Sequence, residues 1–401
     1  MNFFARNNAL CLAKIKGTSI GDHLDFIRGA AALAVVYCHL RVLFMHSVSP
    51  EIKLSITDRL FYLLGSYGRP AVMVFFVLSG WLISGGIVRG DRSGVWRWRD
   101  YIVSRGTRLY CVLVPSLILT LLWDCLSIAV ARHRIPNDDT ALAIISNSVI
   151  RLHTDAITFF GNLLFLQTIF VPPLGSNTAL WSLANEFWYY LVFPCLWFAV
   201  ARSDRRWWQR ALYALAGVAI LFFTGRDIAL YFPIWLLGTG LCLVPSTPAD
   251  IWRRFGAGAT VACGALFALA LLLRGMGRLP DSYRSDVAIA IPFSLVLYCV
   301  LHQRRPASKP LYSRISQTLS GFSYTLYLVH LPLLIFLRAC LTYETAWMPT
   351  GQHWLALGAI FLGVLAYAYL LSRLTEARTE RLKHWLRKLI GSMDAIVAGS
   401  R

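Results

Sequence analysis

Charge is scarce in this chain of 401 residues: Asp, Glu, Lys and Arg make up 15% of it, where a soluble domain carries about a quarter. Acidic residues are scarcer still, 20 against 39 Lys and Arg, which leaves a net charge of +19. Set beside 57% hydrophobic residues and a mean hydropathy of +0.56, the deficit excludes disorder and argues against an ordinary cytosolic enzyme. It also turns the basic excess away from a nucleic-acid partner, because basic residues are what retain loops on the cytoplasmic side of a membrane. No CxxC pair and no metal-ligand spacing occurs among the nine cysteines. They lie scattered, mostly inside apolar runs, and read as small hydrophobes, so no metal is expected. Internal repeats, low-complexity tracts and lipidation signals are also missing. The first apolar run contains Asp25 and Arg28 and is followed by no small-residue cleavage site, which argues for a retained span over a cleavable signal peptide.

Long apolar runs are present instead. Stretches of about 20 residues, enough to cross a bilayer, recur near 24–44, 70–88, 109–131, 180–201, 211–224, 227–244, 257–273, 286–301, 321–343 and 353–372. The expectation is an all-α, polytopic membrane protein with about ten transmembrane helices. Two of the runs, 211–224 and 227–244, are short and separated only by Gly225 and Arg226. A further run, Ile157 to Val171, ends at Pro172-Pro173 and suits a re-entrant or surface-lying segment. With the N-terminus inside, the cytoplasmic segments hold 26 Lys and Arg and the outer segments 10. That bias supports an N-in, C-in topology. The chain reads as one membrane-embedded domain over 1–401, with a core of about 22–385 and cytoplasmic ends at 1–21 and 386–401. The tail beyond Ser372 is a basic amphipathic stretch.

Ionisable side chains inside spans are costly, so each is a functional candidate. The first span reads LDFIRGAAALAVVYCHL and carries Asp25, Arg28 and His39. Arg28 and His39 are 11 residues apart, which on a helix leaves about 20° between them and roughly 16 Å of rise. They share a face, with Asp25 one turn from Arg28 and able to hold it. A polar path from a cytoplasmic mouth to mid-membrane fits this stripe; snorkelling by Arg28 and a plain interhelical hydrogen bond from His39 are the alternatives. Before the third span, SRGTR places Arg105 and Arg108 three apart, a fork suited to phosphates, although positive-inside retention would use the same residues. Glu186 stands two turns into the fourth span beside Asn185, amid Trp181, Trp188, Tyr189 and Tyr190. The aromatics suit an interfacial belt; an isolated carboxylate there must be functional or neutralised. In the ninth span His330 follows Tyr327 by three residues, so the two can meet, and His330 is catalytic or a structural hydrogen-bonder. Ser79, Gly80 and Ser84 in FFVLSGWLISGG mark close helix packing. Trp96 and Trp98 suit a membrane surface.

Taken in order, these segments resemble the acyltransferase-3 family of integral membrane acyltransferases, over about 22–385. HLDFIRGAAALAVVYCH resembles the family's LDxLRGxAAxxVxxxH signature, with its Arg–ten residues–His spacing at Arg28 and His39. FFVLSGWLIS resembles the second-span motif, and SRGTR supplies the RxxR pair. NLLFLQ (Asn162 to Gln167) and WSLANEFWYY are similar to the central block, and FSYTLYLVHLPLL and LTEAR to the closing motifs. Two departures stand out. The appended soluble esterase-like domain of some members does not follow the last span, and the Pro that usually comes soon after the closing Glu is missing after Glu376, so that residue receives no role.

The resemblance implies an O-acyltransferase, in the first place an O-acetyltransferase, of a bacterial inner membrane. Its donor would be acetyl-CoA or another acyl-CoA reached from the cytoplasm, and its acceptor a hydroxyl of a surface or lipid-linked polysaccharide. A small hydroxylated molecule or lipooligosaccharide is the alternative acceptor. Arg105, Arg108 and Arg28 would bind the donor. His39 would act as base or acyl carrier. Glu186 joins His39 and Arg28 as a catalytic candidate, with Asp25, His330 and Tyr327 in support; Glu186 and His330 would orient His39 or bind acceptor. Two rival classes stand beside it: a transporter or flippase, which predicts the same buried charges but for which no inverted repeat is found, and a non-catalytic family descendant serving as a scaffold, against which Arg28, His39, Arg105 and Arg108 together weigh.

Overall fold

The structure, a computed structural model, describes residues 18–47, 54–131, 153–201, 205–244, 247–303, 309–342 and 346–399. The first 17 residues and 132–152, the first part of the longest outer loop expected from sequence, lie outside the described residues.

Helices dominate because the long apolar runs can satisfy their backbone polar groups internally only as helices. They are α1 (Ser19–Phe44), α2 (Ile56–Leu64), α3 (Gly68–Arg92), α4 (Trp98–Ala131), α5 (Ala156–Leu163), α6 (Leu180–Val200), α7 (Trp207–Leu243), α8 (Ala249–Gly275), α9 (Tyr283–His302), α10 (Pro310–Leu341), α11 (Gly351–Leu374) and α12 (Thr379–Gly399), with a 3-10 turn at Glu376–Arg378 before the last. Among the described residues, eight helical stretches are long and apolar enough to cross a membrane, and no strand forms. The protein is therefore an all-α polytopic membrane protein. Side chains such as Phe222, 89% exposed, and Leu355, 77% exposed, turn apolar surface outward, as a bundle in hydrocarbon requires.

The close pair of short runs forms α7, which is interrupted at Gly225 (φ 74°, ψ −176°). Its first half runs antiparallel to α6, with ring pairs Phe198–Tyr213 and Trp188–Phe223 at 5.6 and 5.2 Å. The second half runs parallel to α6, through Tyr189–Phe232 at 5.1 Å and Phe193–Trp235 at 5.4 Å. The chain thus reverses at Gly225, a backbone conformation that glycine adopts without a Cβ clash. The Ile157–Val171 run becomes the short α5 and a loop, with Ile157, Phe160 and Phe170 exposed. Asn162, fully buried, ties that loop down by donating to Thr158 O and Pro172 O and accepting from Leu174 N.

Two packing relationships position the site. The small residues expected to allow close approach in α3 do so: a Cβ on Gly80 would stand 1.9 Å from Trp235 O, and one on Gly238 1.9 Å from Val77 O. Trp235 also donates to Ser79 Oγ at 3.3 Å. Meanwhile α1 and α10 run parallel side by side. His23 meets Tyr312, Arg28 meets Ser320 and His39 meets His330 in succession. Arg28 and His39 both face α10, as their spacing requires.

Candidate active site

The guanidinium of Arg28 donates from Nη2 to Ser320 O at 3.0 Å and to Ser320 Oγ at 2.5 Å. Ser320 Oγ in turn donates to Asp25 Oδ1 at 2.6 Å, and Asp25 lies 3.6 Å from Arg28 Nη2. Asp25 therefore holds Arg28 partly through a serine of α10, a partner that sequence spacing within α1 could not supply. Arg105 and Arg108, on the first turns of α4, join Arg28 around a cavity of about 330 Å3. Arg105 lies over the Tyr101 ring, 6.0 Å from its centroid. The Nε groups of Arg28 and Arg105 are buried and have no hydrogen-bond partner, a state that buried donors rarely occupy. Glu186 lines the same cavity and accepts from Tyr190 OH at 2.6 Å.

The rest of the lining includes the apolar side chains of Val72, Phe75, Phe76 and Leu82, with Tyr324 and Tyr327. Tyr327 does not spend its hydroxyl on His330. It donates to Ala179 O at 3.2 Å and meets Ser182 Oγ at 2.7 Å. Its ring stands 6.1 Å from that of His330, so the pair is in ring contact only. His39 does not line the cavity. Its Nδ1 is 2.8 Å from His330 Nε2, with the rings stacked at 17° and centroids 5.1 Å apart. His330 is fully buried, and its Nδ1 lies 3.0 Å from Leu326 O. Of the two side chains expected to orient His39, His330 touches it, whereas Glu186 faces the arginine cavity. Tyr327 lines the cavity and its ring touches that of His330, so the cavity and the His39–His330 pair adjoin at α10.

One residue set aside on sequence grounds returns here. Glu376, in the 3-10 turn after α11, accepts from Thr325 N at 3.2 Å and Thr325 Oγ1 at 3.1 Å, and the fields of Arg108 and Arg28 act on its carboxylate. The missing proline diverted attention from it; the signal available was a carboxylate at the end of the last apolar run. Sequence reading also passed over two buried carboxylates. Asp124 in α4 accepts from Ser176 N at 2.9 Å. Asp286 in α9 accepts from Arg69 Nε at 2.8 Å and Arg69 Nη2 at 2.7 Å, and from Tyr231 OH at 3.1 Å. Both lie inside apolar runs, where the expense of a charge should have marked them. Among the described residues no cluster of His, Cys, Asp and Glu could hold a metal ion.

An all-helical membrane bundle with three arginines on one cavity and a stacked histidine pair beside it fits the class of integral membrane enzymes. The comparisons make this specific. The family profile described as an acyltransferase domain matches residues 22–373, and the chain belongs to that family, acyltransferase-3. It is similar to acyltransferase MdmB of Streptomyces mycarofaciens, with 24% identity over 378 residues, covering 86% of this chain and 87% of the relative. No solved structure gives a significant match. Membership of an acyltransferase family supports an acyltransferase over a transporter or flippase.

Proposed function

We propose that the protein is a multi-pass inner-membrane O-acyltransferase with both termini in the cytoplasm, which moves an acyl group, in the first place acetyl, from acyl-CoA to a hydroxyl of a surface or lipid-linked polysaccharide. The observation that carries this reading is the convergence of Arg28, Arg105 and Arg108 on one cavity with two buried guanidinium N–H groups unpartnered. Such donors call for an anion, and planar guanidiniums suit phosphate. The CoA phosphates would sit against Arg105 and Arg108, with Arg28 holding the carrier in register. The apolar part of the cavity suits the pantetheine arm, whose thioester would arrive near Tyr327. There His39 would take the proton of the acceptor hydroxyl as the oxygen attacks the thioester carbonyl. The C–S bond then breaks, and His39 returns the proton to the departing thiolate. Trp181, Tyr231 and Tyr283 pack as neighbours at 5.5 and 5.8 Å and offer the aromatic faces a sugar acceptor would use.

The test is the O-acyl content of cell-surface polysaccharide in three strains: intact, deleted, and complemented with His39→Ala at normal membrane levels. Loss on deletion that His39→Ala fails to restore is expected. Acylation that survives deletion would overturn the polysaccharide acceptor and bring a small hydroxylated molecule forward. Restoration by His39→Ala would overturn the role of the histidine.

A further inference from the structure

His330 contains two ring nitrogens, and the structure accounts for both. Nδ1 faces the carbonyl oxygen of Leu326 at 3.0 Å. A carbonyl only accepts, so Nδ1 carries the hydrogen. Among the described residues no carboxylate is hydrogen-bonded to either imidazole of the stacked pair, and two rings with centroids 5.1 Å apart inside a membrane are held as neutral species, since an uncompensated charge there is costly. A neutral imidazole has one N–H and one lone pair. The lone pair of His330 therefore sits on Nε2, which is the atom 2.8 Å from His39 Nδ1. That contact requires the hydrogen on His39 Nδ1. By the same rule His39 Nε2 is left unprotonated.

We propose that His330 is a positioning residue for the transfer reaction: through the Leu326 carbonyl and its own Nε2 it fixes the tautomer and ring orientation of His39, so that His39 presents Nε2 as the proton acceptor. The role rests on the reading of His39 as the base. It differs from the familiar arrangement in which a carboxylate orients the histidine. A neutral partner sets direction without lending negative charge, so the proton taken by His39 passes on to the leaving thiolate within the same turnover. Nδ1 of fully buried His330 is satisfied within its own helix by Leu326 O, which leaves Nε2 to His39.

The experiment uses the full-length protein in nanodiscs, acetyl-CoA as donor and octyl β-glucoside as hydroxyl acceptor, with thiol release as readout. His330→Leu is expected to lower kcat about 100-fold and leave KM for acetyl-CoA within about twofold. Gln carries its amide oxygen at the reach of Nε2 and can accept from His39; Asn carries it at the reach of Nδ1 and cannot. His330→Gln should thus exceed His330→Asn in kcat by about tenfold or more, a comparison that stands even where the Leu variant fails to fold. The double variant His39→Ala/His330→Leu should be no slower than His39→Ala. Equal rates for Gln and Asn, a change confined to KM, or a further loss in the double variant would each overturn the positioning role. A wild type that releases no thiol, or a His39→Ala variant as fast as wild type, would overturn the underlying reading of donor or base and the positioning role with it.

Discussion

Two regions of the protein set arginine beside carboxylates in the helical bundle, and they are wired in opposite ways. At Arg69 the guanidinium meets the Asp286 carboxylate through Nε and Nη2, and Tyr231 OH closes the group by accepting from Nη2 at 2.6 Å and donating to the carboxylate. Asp286 is almost fully buried and its charge is answered inside the protein. Around the cavity, Glu186 turns to a tyrosine and Glu376 to a threonine, while Arg28 and Arg105 keep buried N–H groups unused. The two sites teach that a charge within a span is not by itself a sign of chemistry. At the closed pair the protein answers the guanidinium with a carboxylate and a tyrosine, and at the cavity it leaves Nε of Arg28 and Arg105 open to a ligand acceptor.

That contrast can be broken or sharpened at three points. The largest effect is expected at the closed pair. Arg69→Ala leaves the Asp286 charge buried and unpaired and should cost about 3–5 kcal/mol of stability, while replacing both residues with Met and Leu should restore most of it. Thermal unfolding in detergent measures this; a double variant as unstable as the single one would show that Asp286 needs no answer. Next comes the open site. Arg105→Ala removes a charge-assisted contact worth about 1.5–3 kcal/mol, so KM for acetyl-CoA should rise roughly 10- to 100-fold with the unfolding temperature unchanged. A stability loss without a KM change would place Arg105 with Arg69 among the structural cations. The smallest effect is expected at Glu376→Gln, which keeps an oxygen for Thr325 and removes the charge facing Arg108. Donor affinity should change by about threefold, as befits about 0.5–1 kcal/mol between partly solvated charges; isothermal titration with acetyl-CoA would read it, and a hundredfold loss would instead make Glu376 part of the chemistry.

The aromatic residues show how far pattern alone extends. Trp96 and Trp98, read as membrane-surface residues, pack with Tyr101, Phe198 and Tyr213, because their loop folds back onto α6 and α7. Tyr189 and Tyr190, read as belt residues, are buried and hydrogen-bonded to Ile228 O and Glu186. Composition marks such rings as amphipathic but says nothing of which neighbour receives the polar end.

The sequence by itself determined what depends on neighbours along the chain. Apolar run length set the helices, 3.6-residue periodicity put Arg28 and His39 on one face, and Ser79, Gly80 and Ser84 announced a close helix contact. The order of six motifs was enough to identify the family. Only the tertiary structure decided what depends on register between helices: that His39 meets His330, 291 positions away, that Ser320 mediates between Asp25 and Arg28, that Glu186 belongs to the arginine cavity, and that Tyr327 gives its hydroxyl to Ala179 and Ser182. Helical periodicity is a local property, fixed within a few turns by backbone geometry. Register between distant helices is fixed by side-chain shape and hydrogen bonding across the whole bundle, which no single segment contains.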